Sequence, residues 1–255
     1  MAEKKYTPMM QHYLKMKEEN PDSILFYRLG DFYEMFFEDA KLVSQELDLV
    51  LTGRSAGVEE KVPMCGIPFH AANSYIQRLV KKGYKVAICE QLEDPSSAKG
   101  LVDRGIIKII TPGTYMDATM DAKSTNYMAS CDVSSFEITV IYCELSTGEL
   151  KYQTLQRSLV ALQKALLEQN VSELVCPMTM DKKWMAALEE MDTMLISKHK
   201  KANIDSEDLP LLNGIESESL KEAFALLMAY LKDTQKQRID HFLPIESMDK
   251  DKVLV

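Results

Sequence analysis

Short apolar runs alternate in this chain with longer segments of helical spacing, and that alternation leaves few folds open. Residues 23–29 (SILFYRL), 84–91 (YKVAICEQ) and 106–111 (IIKIIT) read as strands. Between them the punctuation is helical. Thr7-Pro8 is an N-cap followed by proline at the first helical position, which predicts a helix to about residue 20, where Pro21 stops it. Residues 37–49 keep helical spacing through Phe37, Ala40, Leu42, Val43 and Leu47. Residues 71–82 read as another helix, with Lys81 and Lys82 suited to its C-terminal dipole and Gly83 at its C′ position. A short strand is expected at 49–52. The stretch 62–69 (VPMCGIPF), with two prolines and a glycine, reads as an irregular loop packed on the core. Helices between buried strands predict a mixed α/β unit over residues 1–114.

A small, polar linker (115–126) precedes a second unit, expected over 127–245. It opens with strands at 127–133, 136–145 and 149–154, the last after the turn Ser146-Thr147-Gly148. A helix at 158–169, a strand at 173–176, a helix at 181–191 and a long helix at 218–235 follow. Three meandering strands and then alternating helix and strand is the order of a ribonuclease-H-like domain. The fold class expected is therefore α/β in two domains. Residues 246–255 read as the start of a further region.

Charge separates the two parts. The chain of 255 residues carries a net −9, but residues 1–115 hold −1 and residues 116–255 hold −8. Within the first part, residues 76–108 gather seven basic side chains against four acids. Any surface facing phosphates is expected there, and the acidic second part suits a protein-facing role. No run of about 18 apolar residues exists to span a membrane. The five cysteines are scattered without a CxxC pair, which fits reduced thiols in a cytosol better than disulfides or zinc.

One short stretch carries chemistry. In Gly30-Asp31-Phe32-Tyr33-Glu34-Met35-Phe36, extended backbone puts Phe32 and Glu34 on one face, with Tyr33 and Met35 on the other. Spacing alone fits an ordinary edge strand, with Phe32 in the core and Glu34 in water. It also fits an aromatic wedge beside a hydrogen-bond acceptor.

The stretches FYRLGDFYEMFFEDA (26–40), LTGR (51–54), PMCGIPFHA (63–71), VAICEQLEDP (86–95) and ITPGT (110–114), in this order, resemble the N-terminal part of the MutS family of DNA mismatch-repair sensors. CELSTGEL (143–150) extends the likeness into the connector domain. The resemblance implies that Phe32 enters the minor groove and stacks on a mispaired base while Glu34 hydrogen-bonds that base. Arg54, Lys99 and Arg104 are further candidates, for contacts to the DNA backbone; Arg54 as an ordinary solvated arginine fits its loop equally well. Tyr33 is expected to pack beneath the wedge, His70 to be structural or capping, and Cys65 and Cys89 to be inert core.

The partners implied are mismatched double-stranded DNA and MutL, within a dimer made by the whole family protein. The family's compartment is the bacterial cytoplasm, at the nucleoid. ATP and magnesium are expected only in the full-length family, since the chain has no GxxxxGK[ST] phosphate loop, and no enzymatic activity or cofactor is expected of this chain. The rival from another class is a metal-dependent nuclease built on Asp132, with Glu144 and Glu149 bordering the neighbouring strands; such chemistry needs carboxylates converging on metals about 4 Å apart.

Overall fold

A computed structural model describes residues 6–93, 102–116 and 125–249. The chain divides into two compact units, 1–111 and 112–255, each built on a six-stranded sheet. This is the two-domain α/β organisation expected from the sequence.

In the first unit, α1 (Pro8–Glu19) precedes β1 (Ser23–Leu29) and β2 (Phe32–Phe36). Thr7 caps α1 with its hydroxyl, 3.4 Å from the Met10 N–H, and Pro8 fills the first turn. Gly30, at φ 58°, makes the turn that sends β2 back antiparallel along β1. α2 (Phe37–Leu47), β3 (Thr52–Arg54), β4 (Val62–Pro68), α3 (Ala72–Lys81), β5 (Lys85–Gln91) and β6 (Arg104–Ile110) complete the unit. The strand order is β3-β4-β2-β1-β5-β6, with β1 and β5 parallel and the other pairs antiparallel.

Alternation along the strands sends side chains to two covered faces. Leu25, Tyr27, Phe36, Ala87 and Cys89 pack with Met10, Tyr13 and Met16 of α1. On the other face α2 lies against β4 and β2, and α3 against β5. Asp39, in the first turn of α2, is buried because it is fully used: it accepts from the Leu25 N–H and from Lys17, both at 2.9 Å.

Two boundaries differ from the sequence expectation. The short strand expected at 49–52 forms instead at β3, starting three residues later and ending two residues later. The stretch expected to be an irregular loop, 62–69, is strand β4 through Pro68. Its prolines stand near the sheet's edge, Pro63 opposite Gly53 of the three-residue edge strand and Pro68 at the last pairing with β2, where a missing N–H costs least.

The second unit runs β7 (Tyr127–Val133), β8 (Glu137–Glu144), β9 (Glu149–Gln156), α4 (Leu159–Glu168), β10 (Val171–Pro177), α5 (Lys182–Glu189), β11 (Leu195–His199), α6 (Glu218–Gln235) and β12 (Glu246–Ser247). The meander β7–β9 is antiparallel, and β10 and β11 add in parallel beside β7, giving the order β11-β10-β7-β8-β9-β12. Phe224, Leu227 and Tyr230 of α6 cover one face; Leu162, Leu166, Met185 and Leu188 of α4 and α5 cover the other. β11 and β12 were not expected from the sequence, being short and flanked by polar residues.

The motif ITPGT takes a structural role here. The Gly113 N–H donates to the fully buried carboxylate of Glu173 at 3.0 Å, and Ser197 and Tyr230 donate to its other oxygen. A Cβ at Gly113 would stand 2.9 Å from both Glu173 and Met128, so only glycine fits this approach.

Candidate nucleic-acid interface

Three positions of β2 grade its α1-covered face from closed to open. Phe36, at the end of β2, lies under α1: its ring meets Tyr13 edge-on at 4.9 Å. The Tyr13 hydroxyl accepts from the Phe36 N–H at 3.2 Å and reaches its carbonyl at 3.3 Å. Burial pushes the Tyr13 phenol far above its ordinary range, with the Asp39 carboxylate adding to the effect. In the middle, Glu34 pairs across from Tyr27, whose hydroxyl meets His12 Nδ1 of α1 at 2.9 Å. At the turn end, Phe32 pairs with Leu29 on one side and Pro68 on the other. Phe36 is 1% exposed and Phe32 47%. Two phenylalanines on one face of a five-residue strand thus have opposite environments.

Phe32 and Glu34 do share a face, as the alternation predicts, but Phe32 is not in the core. Glu34 is not simply solvated either. Its carboxylate is held by the Arg54 guanidinium, which reaches over from β3 and lies 5.9 Å from the Phe36 ring. Gly66, opposite Glu34 on β4, has no side chain to compete for that space.

Tyr33 is buried on the opposite face, its ring 5.9 Å from Phe26 and its hydroxyl donating to Glu90. Burial, with that hydrogen bond, raises its phenol well above the ordinary range. It supports the strand from behind, much as the sequence suggested.

The other candidates separate. Arg54 is the ion-pair partner of Glu34, which the sequence did not reveal because the two stand 20 residues apart. Arg104, a candidate for the DNA backbone, is instead buried at 8% exposure. Its guanidinium donates to the carbonyls of Arg28 (2.9 Å) and Val102 (2.8 Å) and stacks 5.4 Å from the Tyr27 ring. That placement braces β1 against β6 and leaves little of the side chain for a phosphate. Lys99 lies outside the described residues. Lys82 pairs with Glu46 at 2.6 Å, which Tyr84 also reaches, so it works as a helix-end charge. His70 sits exposed in the 3₁₀ turn Phe69–Ala71 and caps nothing with its side chain. Burial pushes the thiols of Cys65 and Cys89 up to about 11 and about 12, so both are protonated and inert near neutrality.

One exposed aromatic escaped the sequence reading. Phe69 follows Pro68, the cross-strand neighbour of Phe32, and is 40% exposed. Its N–H bonds the Asp31 carbonyl at 2.9 Å, and the Arg28 guanidinium lies 3.6 Å from its ring centre. The open end of β2 is therefore flanked by a second half-exposed ring. Reading 62–69 as a loop hid it.

In the second unit, Asp132 does not open onto a cluster of acids. It accepts from Lys201 at 3.2 Å and Ser219 at 2.9 Å, and Lys201 also pairs with Glu222. An ammonium therefore stands between the two carboxylates. Glu144 caps its own turn through Ser146 and Thr147, and Glu149 meets Tyr127 and Lys151. Among the described residues no group of three or more acids, histidines or cysteines is placed to hold a metal. No described helix is long and apolar enough to cross a membrane.

Comparison with known proteins places this geometry in context. The family MutS domain I matches residues 7–119. The DNA mismatch repair protein MutS of Bacillus licheniformis is 44% identical over 253 residues, 98% of this chain and 28% of that protein. The protein of that name from Clostridium tetani is 44% identical over 93% of this chain and 28% of its own length. That of Bacillus subtilis is 42% identical over 98% of this chain and 29% of its own length. The chain thus spans little more than a quarter of the relatives it matches.

Proposed function

Because this chain matches the N-terminal region of MutS-family proteins, we propose that it is the mismatch-sensing and connector part of a DNA mismatch-repair protein. The observation that carries the proposal is Phe32: a phenylalanine held half-exposed at the open end of a strand whose other end is core. An apolar wedge between base steps unstacks them and kinks the duplex, at a cost of a few kcal/mol per step. A mispaired base is already poorly held, so insertion there costs least. Stacking on an aromatic returns about 1–3 kcal/mol per base and accepts any base, which suits a sensor for many lesions.

Glu34, beside the wedge, supplies the polar half. A carboxylate is repelled by phosphates unless a base N–H completes a hydrogen bond to it, so it penalises contacts that meet no free donor. Recognition rests on local deformability rather than on a base code. Arg54, and Lys99 in the segment between β5 and β6, would meet phosphates and supply affinity without sequence preference.

In this reading the second unit relays the sensor's state and offers its acidic surface to MutL. ATP, magnesium and the dimer belong to the full-length family protein, in the bacterial cytoplasm at the nucleoid. The test is equilibrium binding at low salt to a duplex with one unpaired thymine and to its matched counterpart. The chain is expected to prefer the lesion and Phe32→Ala to lose that preference. Equal binding of both duplexes by the unaltered chain would sink the proposal for this chain on its own.

A further inference from the structure

The ion pair between Glu34 and Arg54 gives the proposed sensor a feature that neither residue suggests alone. The carboxylate and the guanidinium are each other's partners in the free protein, with 15% of the Glu34 side chain and 36% of the Arg54 side chain exposed. Among the described residues, Arg54 is the one hydrogen-bond partner of the Glu34 carboxylate. Arg54 comes from β3, a three-residue edge strand paired only with β4, and reaches Glu34 from the Phe36 side, its guanidinium 5.9 Å from that ring. A base that takes the Glu34 carboxylate therefore competes with Arg54 for it.

We propose that Arg54 is a specificity-determining residue that exchanges partners: it holds Glu34 in the free protein and passes to a phosphate only when a mispaired base takes the carboxylate. The inference rests on the mismatch-sensing reading of this site and deepens it. An arginine fork satisfies one planar anion well at a time. On a matched duplex, the minor groove offers mostly acceptors at A·T pairs and a single amino donor, already paired, at G·C pairs. If Arg54 moved to a phosphate there, Glu34 would be left as a half-buried carboxylate without a partner, beside a polyanion. The ion pair stays closed and the phosphate contact is forgone. At a mispaired base an N–H released from its lost pair can donate to Glu34. Arg54 is then free for a phosphate, and the two new contacts form together. Discrimination is thereby amplified: one event at the base decides two contacts.

The exchange has a signature in salt dependence, because each phosphate contact adds about 0.9 to the slope of log affinity against log salt. Four proteins are compared by fluorescence anisotropy across a salt series, on a duplex with one unpaired thymine and on its matched counterpart. They are the unaltered chain, Arg54→Gln, Glu34→Gln and the double variant, each checked for folding by circular dichroism. Exchange predicts that Arg54→Gln removes about one phosphate contact from the slope on the lesion duplex and nothing on the matched duplex. In the Glu34→Gln background, where Arg54 is released, it removes about one contact from both. Glu34→Gln alone tightens binding to the matched duplex. If Arg54→Gln lowers the slope equally on both duplexes whichever residue stands at 34, Arg54 is an independent phosphate contact and the exchange is overturned. If it lowers neither, the pair is structural and the exchange is overturned as well. Either result with lesion preference intact leaves the sensor reading standing. Loss of that preference in the unaltered chain removes both.

Discussion

The two ends of β2 carry the same side chain on the same face and do different work. Phe36 is sealed under Tyr13 and holds α1 to the sheet; Phe32, four residues earlier, stands half in solvent beside an ion pair. The difference lies in the cover rather than in the strand. α1 reaches as far as His12 on Tyr27, and beyond that point Phe32 is 47% exposed among the described residues. A rigid strand that is anchored at one end can present a bulky apolar group at the other without losing its register. That suits a wedge, which must enter a base stack without buckling.

Substitutions at the closed end should act on folding, in decreasing order of size. Phe36→Ala empties a site in the core and is expected to cost about 3–5 kcal/mol in chemical denaturation. A cost below about 1 kcal/mol would mean that the α1 contact contributes little to anchoring β2. Tyr13→Phe keeps the ring packing but orphans the buried Phe36 N–H, and should cost about 1–3 kcal/mol by the same measurement. At the open end, Phe32→Ala is expected to change stability by no more than about 0.5 kcal/mol while removing lesion preference. Equal stability losses for the two phenylalanines would erase the distinction between the ends.

The boundary itself should titrate. Burial, and then the Arg104 charge, lower the His12 pKa from its ordinary value, so the folded state favours the neutral ring. A depressed pKa contributes stability above the unfolded-state value of about 6.5 and loses it as pH falls toward the folded value. Denaturation midpoints between pH 7.5 and 5 should therefore fall on acidification, and fall less in His12→Gln. An unchanged pH dependence in that variant would place the acid-sensitive group elsewhere.

Much of this was legible in the sequence, for identifiable reasons. Helix ends were set by local chemistry: Thr7-Pro8 and Gly83 place α1 and α3 to within a residue or so. The meander β7–β9 followed from turn residues and alternation. β4 was hidden because Pro63 and Pro68 signal a loop unless the edge pairing that tolerates them is known. Phe69 was hidden with it. Arg104 looked like a surface charge in a basic segment. Its burial depends on a carbonyl at Arg28, 76 residues earlier, and no local pattern reports that. The Glu34–Arg54 pair is likewise a product of topology, made across β4. In this chain, what is set by neighbours in sequence was readable, and what is set by strands meeting in space was not.

The most direct measurement places 2-aminopurine next to an unpaired thymine in a duplex and follows its fluorescence as the protein is added. A wedge that unstacks the base step brightens the probe. Brightening is expected with the unaltered chain and with the conservative Phe36→Leu, and none with Phe32→Ala at concentrations where that variant is bound. Equal brightening with Phe32→Ala would mean that another group opens the stack, and that the exposed end of β2 is not the wedge.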